Sequence, residues 1–198
     1  FPKTDKPLIC DMSSDIFSRK INIADFGMIY AGAQKNMGPA GTTLVIVKEE
    51  LLGHSGRDIP SYLDYQIHIN KDSMFNTPPV FAIYTSMLTL EWLKSKGGIT
   101  TIEKINNDKA AILYDEIDRN SLFEGIAKKE DRSMMNATFI LKNKEHETLF
   151  NSMWEAKGIS GIKGHRSVGG YRASIYNGMP HEGIEVLINT MKELESTL

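Results

Sequence analysis

Apolar residues fall along this chain in two rhythms. In the first third they form short unbroken runs, at residues 7–10, 26–31 and 42–47. Runs of that length, rich in Val, Ile and Leu and bounded by Gly, Ser or Asp, predict strands, and unbroken runs fit strands covered on both faces of an α/β sheet. Polar residues follow directly. Asp11 ends the first run, and Gln34 and Lys35 lie just past the second. Open α/β sheets bind their ligands beyond such strand ends.

From Asn76 onward the rhythm becomes helical. Asn76 or Thr77 can cap, Pro78 and Pro79 suit a first turn, and Val80, Ile83, Met87, Leu88 and Trp92 follow at helical spacing. Gly97-Gly98 closes this helix and sets the expected domain boundary, giving regions 1–96 and 97–198. A second helix is predicted over about 100–118, with Ile102, Ile105, Ile112, Leu113 and Ile117 inward. The rest reads as a small α+β unit. Strands are predicted over 136–141 and 171–176, a helix over 146–157 with Leu149, Phe150 and Met153 inward, and a last helix over 181–194 carrying Ile184, Leu187, Ile188, Met191 and Leu194.

Composition narrows the class. With 41% apolar and 24% charged residues among 198, the chain has material for a packed core. A net charge of -2 argues against nucleic acid as partner, since phosphate neutralisation needs a basic surface. No polybasic patch and no run near the roughly 18 apolar residues of a membrane span is present. The single cysteine, Cys10, lies in an apolar run and is expected to be buried and inert, which fits a reducing cytoplasm. The histidines show no metal-ligand spacing, so no metal is expected. The chain opens on Phe1, and a piece of a longer protein is the expectation.

Chemistry concentrates in three places. Tyr30-Ala-Gly-Ala-Gln-Lys-Asn-Met-Gly-Pro-Ala-Gly41 holds Lys35 between small-residue turns that leave room for a flat ligand. An amine there and a carboxylate at Asp11 are what pyridoxal phosphate needs: the amine forms the imine to its aldehyde, and the acid keeps the ring nitrogen protonated. Each also has a plainer reading, Lys35 as a solvated turn lysine and Asp11 as a strand-end acid turning the chain with Ser13 and Ser14. Asn76-Thr77-Pro78-Pro79 reads as a helix cap, a phosphate site, or both. His165, Arg166 and Arg172, set around Gly169-Gly170, read either as a solvated loop and strand face or as an anion clamp of guanidinium forks.

The blocks 32–41, Met74-Phe-Asn-Thr-Pro-Pro79 and 164–177 together resemble the phosphoserine aminotransferases, fold-type I pyridoxal-phosphate enzymes. The resemblance implies an α/β fold: the C-terminal part of a cofactor-binding large domain with a mainly parallel or mixed sheet, followed by a small α+β domain. It further implies that Lys35 bonds the cofactor, Asp11 pairs with its ring nitrogen and Gln34 contacts its phosphate. Asn76 and Thr77 would reach the cofactor phosphate of a neighbouring subunit, making a homodimer with shared sites. Arg172 would hold the substrate carboxylate, with His165 and Arg166 on the substrate phosphate. The implied reaction moves an amino group from glutamate to 3-phosphohydroxypyruvate, giving phosphoserine and 2-oxoglutarate, in serine and bacterial pyridoxine biosynthesis. Family members are nearly twice this long, the extra part being N-terminal. The alternative expectation is that the chain alone is an inactive dimerisation or anion-binding module.

Overall fold

Strand β1 (Ile9–Asp11) runs parallel to β2 (Met28–Gly32), Asp11 standing opposite Tyr30. Strand β3 (Thr43–Val47) then pairs antiparallel with β2, Gly32 opposite Thr43, to complete a mixed sheet of order β1-β2-β3. The computed structural model describes residues 2–54, 56–164 and 169–198. It separates into two compact units, Phe1–Gly98 and Ile99–Leu198.

In the first unit the core is Met12, Ile16, Phe26, Ile29 and Ala31. Successive strand side chains point to opposite faces, so Ile29 and Ala31 go inward while Tyr30 between them is exposed. The sheet here thus follows a period of two where the apolar runs predict cover on both faces; β3 is only half-buried. Cys10 is likewise half-buried rather than buried.

Straight after β2 the chain turns into α1 (Ala33–Asn36), whose Ala33 N–H reaches back to the Thr42 carbonyl at 3.0 Å. Further on, α2 (Tyr65–Asn70) is capped by the Asp64 carboxylate, which accepts from Gln66 N–H at 2.9 Å. Helix α3 (Val80–Ser95) has Pro79 as its N-cap residue, with no side-chain cap. The expected capping by Asn76 or Thr77 is therefore corrected. A residue preceding proline is disfavoured in the helical region, and Thr77 and Pro78 both precede prolines, so the helix starts only after both. Asn76 instead donates to the Thr77 carbonyl at 3.4 Å.

The second unit opens with α4 (Gly98–Arg119). Its sheet has β5 (Asn136–Leu141) in the centre, with β4 (Phe123–Gly125) and β6 (Tyr171–Ser174) antiparallel on either side. Helices α5 (Glu147–Ala156) and α6 (His181–Thr197) complete it. The core rings pack closely: Phe139 stacks on Tyr171 at 5.3 Å between centroids, and Phe150 meets Tyr171 edge-on at 5.1 Å. On α6 all five predicted inward residues are buried. On α4 the buried stripe is Ile102, Asn106, Lys109, Ala110, Leu113 and Ile117, at three- and four-residue spacing, and Ile105 falls off it and is exposed. Among the described residues no helix is long and apolar enough to cross a membrane, and no group of three or more metal-ligating side chains occurs.

Candidate active site

The end of β1 and the end of β2 meet through one serine. After Asp11 the chain turns, and Met12 N–H donates to the Tyr30 carbonyl at 2.8 Å, which holds the turn against β2. Ser13 then folds back on the acid. Its N–H and its hydroxyl both donate to Asp11 Oδ1, at 2.9 and 2.6 Å. The same hydroxyl oxygen accepts from Gly32 N–H at 3.0 Å. Gly32 is the N-cap residue of α1, the turn that carries Gln34 and Lys35.

These contacts hold the Asp11 carboxyl below the usual carboxylate range. The Ser13 hydroxyl contributes most and the Ser13 N–H next; desolvation opposes them, and the Lys35 ammonium and the Tyr30 hydroxyl add smaller lowering effects. Lys35 is within range for its charge to act on Asp11, on the turn that the Ser13 hydroxyl ties to the acid through Gly32 N–H. Both are exposed, as is Gln34. Gln34 sits over the glycine before it, for a Cβ at position 32 would lie 2.6 Å from its amide oxygen.

Asn36 is buried, and its Nδ2 donates to the Ile16 carbonyl at 2.7 Å. This tie between the lysine turn and the segment after Asp11 has no signal in the sequence, where Asn36 looks like any turn asparagine. An ionised acceptor and an exposed primary amine at neighbouring strand ends, amid small residues, fit a cationic ring bearing an aldehyde, as in pyridoxal phosphate.

Asn76 and Thr77 are exposed, in the segment before α3. Asn76 lines a cavity of about 580 Å³ with Gly41, Thr42, Tyr65, His68 and Pro79, and neither Asp11, Gln34 nor Lys35 is part of that lining.

Arg172 belongs to the second unit, on β6 opposite Thr138, with its N–H on the Ile162 carbonyl at 2.7 Å. Tyr171 and Ala173 go into the core, so Arg172 faces out. The entry to this strand is shaped by Gly169 and Gly170, at φ 75° and 65°, in the left-handed region that favours glycine. His165 and Arg166 lie outside the described residues.

Comparison with known proteins places the chain. Residues 2–187 match the family described as aminotransferase class-V. Over all 198 residues the chain is 67% identical to a phosphoserine aminotransferase of Flavobacterium psychrophilum, covering 56% of that protein. A solved structure concerned with radiation damage of the Schiff base in phosphoserine aminotransferase superposes with a TM-score of 0.95 at 48% identity, covering 100% of this chain and 56% of that one. A crystal structure of PLP-bound phosphoserine aminotransferase from Trichomonas vaginalis gives 0.91 at 38% identity, over 97% of this chain and 55% of that one. The chain therefore spans little more than half the length of these relatives, and its α/β fold is theirs. It belongs to the class-V aminotransferases.

Proposed function

We propose that this chain is the C-terminal part of a pyridoxal-phosphate-dependent phosphoserine aminotransferase, moving an amino group from glutamate to 3-phosphohydroxypyruvate. In this reading residues 1–96 end the cofactor-binding large domain and 97–198 form the small domain. The whole enzyme is a cytoplasmic homodimer acting on small molecules. The observation that carries the reading is the Asp11 carboxylate, held ionised by Ser13 at a strand end beside Lys35. The 67% identity to a phosphoserine aminotransferase supports the choice of substrate.

When bound, the cofactor supplies an electron sink that stabilises negative charge at the substrate Cα. Asp11 would accept the ring N–H and so keep the ring cationic. Lys35 Nζ is the amine that would hold the cofactor at its aldehyde carbon, and as a free amine it would serve as the base for the substrate Cα proton. Gln34 would hold the cofactor phosphate from its own subunit, and Asn76 and Thr77 would reach the cofactor phosphate of a neighbouring subunit. Arg172 takes the substrate carboxylate as a bidentate pair, and His165 and Arg166 hold the substrate phosphate.

The test uses the full-length protein. Cofactor absorbance shifts on adding glutamate, and Lys35→Ala abolishes the covalent chromophore; a chromophore unchanged in that variant rejects the lysine assignment. Arg166→Ala lowers kcat/KM for phosphoserine more than for a non-phosphorylated analogue, and equal losses reject the phosphate clamp.

A further inference from the structure

We infer that Ser13 is a positioning residue whose single hydroxyl fixes the Asp11 carboxylate and the Lys35 turn relative to each other. The inference rests on the function proposed above and assigns a role to a residue outside that mechanism.

Four observations combine. Ser13 is 7% exposed, so solvent competes little for its hydroxyl. Its hydroxyl proton goes to Asp11 Oδ1 at 2.6 Å, because an ionised carboxylate only accepts. One lone pair of the same oxygen is used by Gly32 N–H at 3.0 Å, which leaves the rotor little choice of direction. Gly32 lies three positions before Lys35, at the end of β2 and as the N-cap residue of α1. The relay Gly32 N–H, Ser13 hydroxyl, Asp11 carboxylate thus joins the acid's strand to the amine's turn, and each bond polarises the next.

The arrangement also selects an oxygen. Both Ser13 bonds fall on Oδ1, so neither Ser13 donor occupies Oδ2, and the Tyr30 hydroxyl is a further influence on the carboxylate. Without the hydroxyl, Asp11 keeps only the Ser13 N–H from this residue. The acid then loses its strongest anchor, and Gly32 N–H loses its acceptor. The Lys35 ammonium and the Tyr30 hydroxyl still lower the Asp11 carboxyl pKa, and Asp15 and Arg19 act on the neighbouring Cys10.

The experiment is a double-mutant cycle in the full-length protein, reading the dissociation constant of pyridoxal phosphate. Ser13→Ala weakens cofactor binding about tenfold, the scale of one hydrogen bond to a charged group. In the Asp11→Ala background the same change has less than a twofold effect, and Ser13→Thr, which keeps the hydroxyl, restores most of the affinity. In the apo protein the carboxyl carbon of Asp11, followed by NMR, titrates at higher pH in Ser13→Ala. Should Ser13→Ala fail to fold, Ser13→Cys keeps the size with a weaker donor and carries the same cycle. Equal factors in both backgrounds, or no factor in either, overturn the inference by making Ser13 a fold residue only. A wild-type protein that forms no covalent chromophore with pyridoxal phosphate defeats the proposed function instead, a separate and earlier outcome.

Discussion

Asn36 Nδ2 donates to the Ile16 carbonyl at 2.7 Å, and this buried bond ties the residue next to Lys35 to the segment that follows Asp11. The acid and the amine are thus fastened on either side of one loop pair, at Ser13 and at Asn36. Replacing Asn36 by alanine leaves the Ile16 carbonyl buried without this donor, at a cost of about 1–3 kcal/mol. Asn36→Ala should lower the midpoint of thermal unfolding and loosen the lysine turn. In the full-length protein, a dissociation constant for pyridoxal phosphate several-fold above wild type would be the second sign. An unchanged melting curve would show that the bond contributes nothing.

Much of this layout was legible from residue order alone, and the reasons are local. On α6 the apolar residues repeat at three and four positions without interruption, so the buried face follows from periodicity. The placement of Asp11 at the end of one strand and of Lys35 in the turn after another was legible because an apolar run stops just before each. Other features depend on partners far along the chain. Strand β4 has only three residues, too few for a pattern, and exists because β5 supplies its ladder. Lys109 reads as a surface lysine until its acceptors, more than sixty residues away, are known. The exposure of Ile105 follows from the polar side chains Asn106, Lys109 and Glu116 taking the inner stripe of α4.

Lys109 is fully buried and donates to the carbonyls of Ile175, Tyr176 and Met179 at 3.2, 2.9 and 3.0 Å, holding the segment just after β6. Lys109→Met keeps the length and removes the donor, leaving these carbonyls without it. We expect a loss of about 2–4 kcal/mol, since each unpaired buried acceptor costs on the order of 1–3 kcal/mol. Urea unfolding followed by Trp154 fluorescence in a Trp92→Phe background would measure it. Burial pulls the Lys109 ammonium from 10.5 down to about 8. The folded state therefore sheds its proton before the unfolded state does, and between those values the unfolded chain binds more protons. Folding stability should accordingly rise with pH across that window in wild type relative to Lys109→Met. A difference that stays flat or falls would contradict the assignment.

Acid should act on the second unit through Asp118. Arg132 grips this carboxylate with two bonds of 2.9 and 2.6 Å, Lys129 adds a contact at 2.9 Å, and the guanidinium also lies over the Tyr114 ring at 4.6 Å. The Arg132 hydrogen bonds are the main reason that the Asp118 pKa falls from 3.8 to about 2. A depressed carboxyl stabilises the fold above its unfolded value, and that contribution disappears as pH falls from about 4 toward 2. Asp118→Asn should therefore lose about 1 kcal/mol near neutral pH, with partial exposure keeping the figure small. The variant and wild type should converge in urea titrations near pH 2. A constant gap across the range would mean that packing, and not charge, sets the loss.

Gly170 bears on the strand that presents Arg172. Its φ of 65° suits glycine, and a Cβ there would stand 2.8 Å from Ile140 Cγ2 and 2.9 Å from the Phe139 carbonyl oxygen. The carbonyl belongs to the central strand and cannot rotate away as a side-chain tip can. Gly170→Ala must then shift the start of β6, where Tyr171 is wedged between Phe139 and Phe150 with its hydroxyl on Asn151 at 3.1 Å. The strain costs about 1–3 kcal/mol. In the full-length protein the role proposed for Arg172 gives a higher KM for the amino-acid substrate with a smaller change in kcat, because the shift falls on Arg172 and not on Lys35 or Asp11. Gly161→Ala, which has a similar φ of 71° but open space around its Cβ, provides the control. It should share the backbone strain and leave KM alone. Equal rises in KM for both variants would show that β6 does not position the substrate.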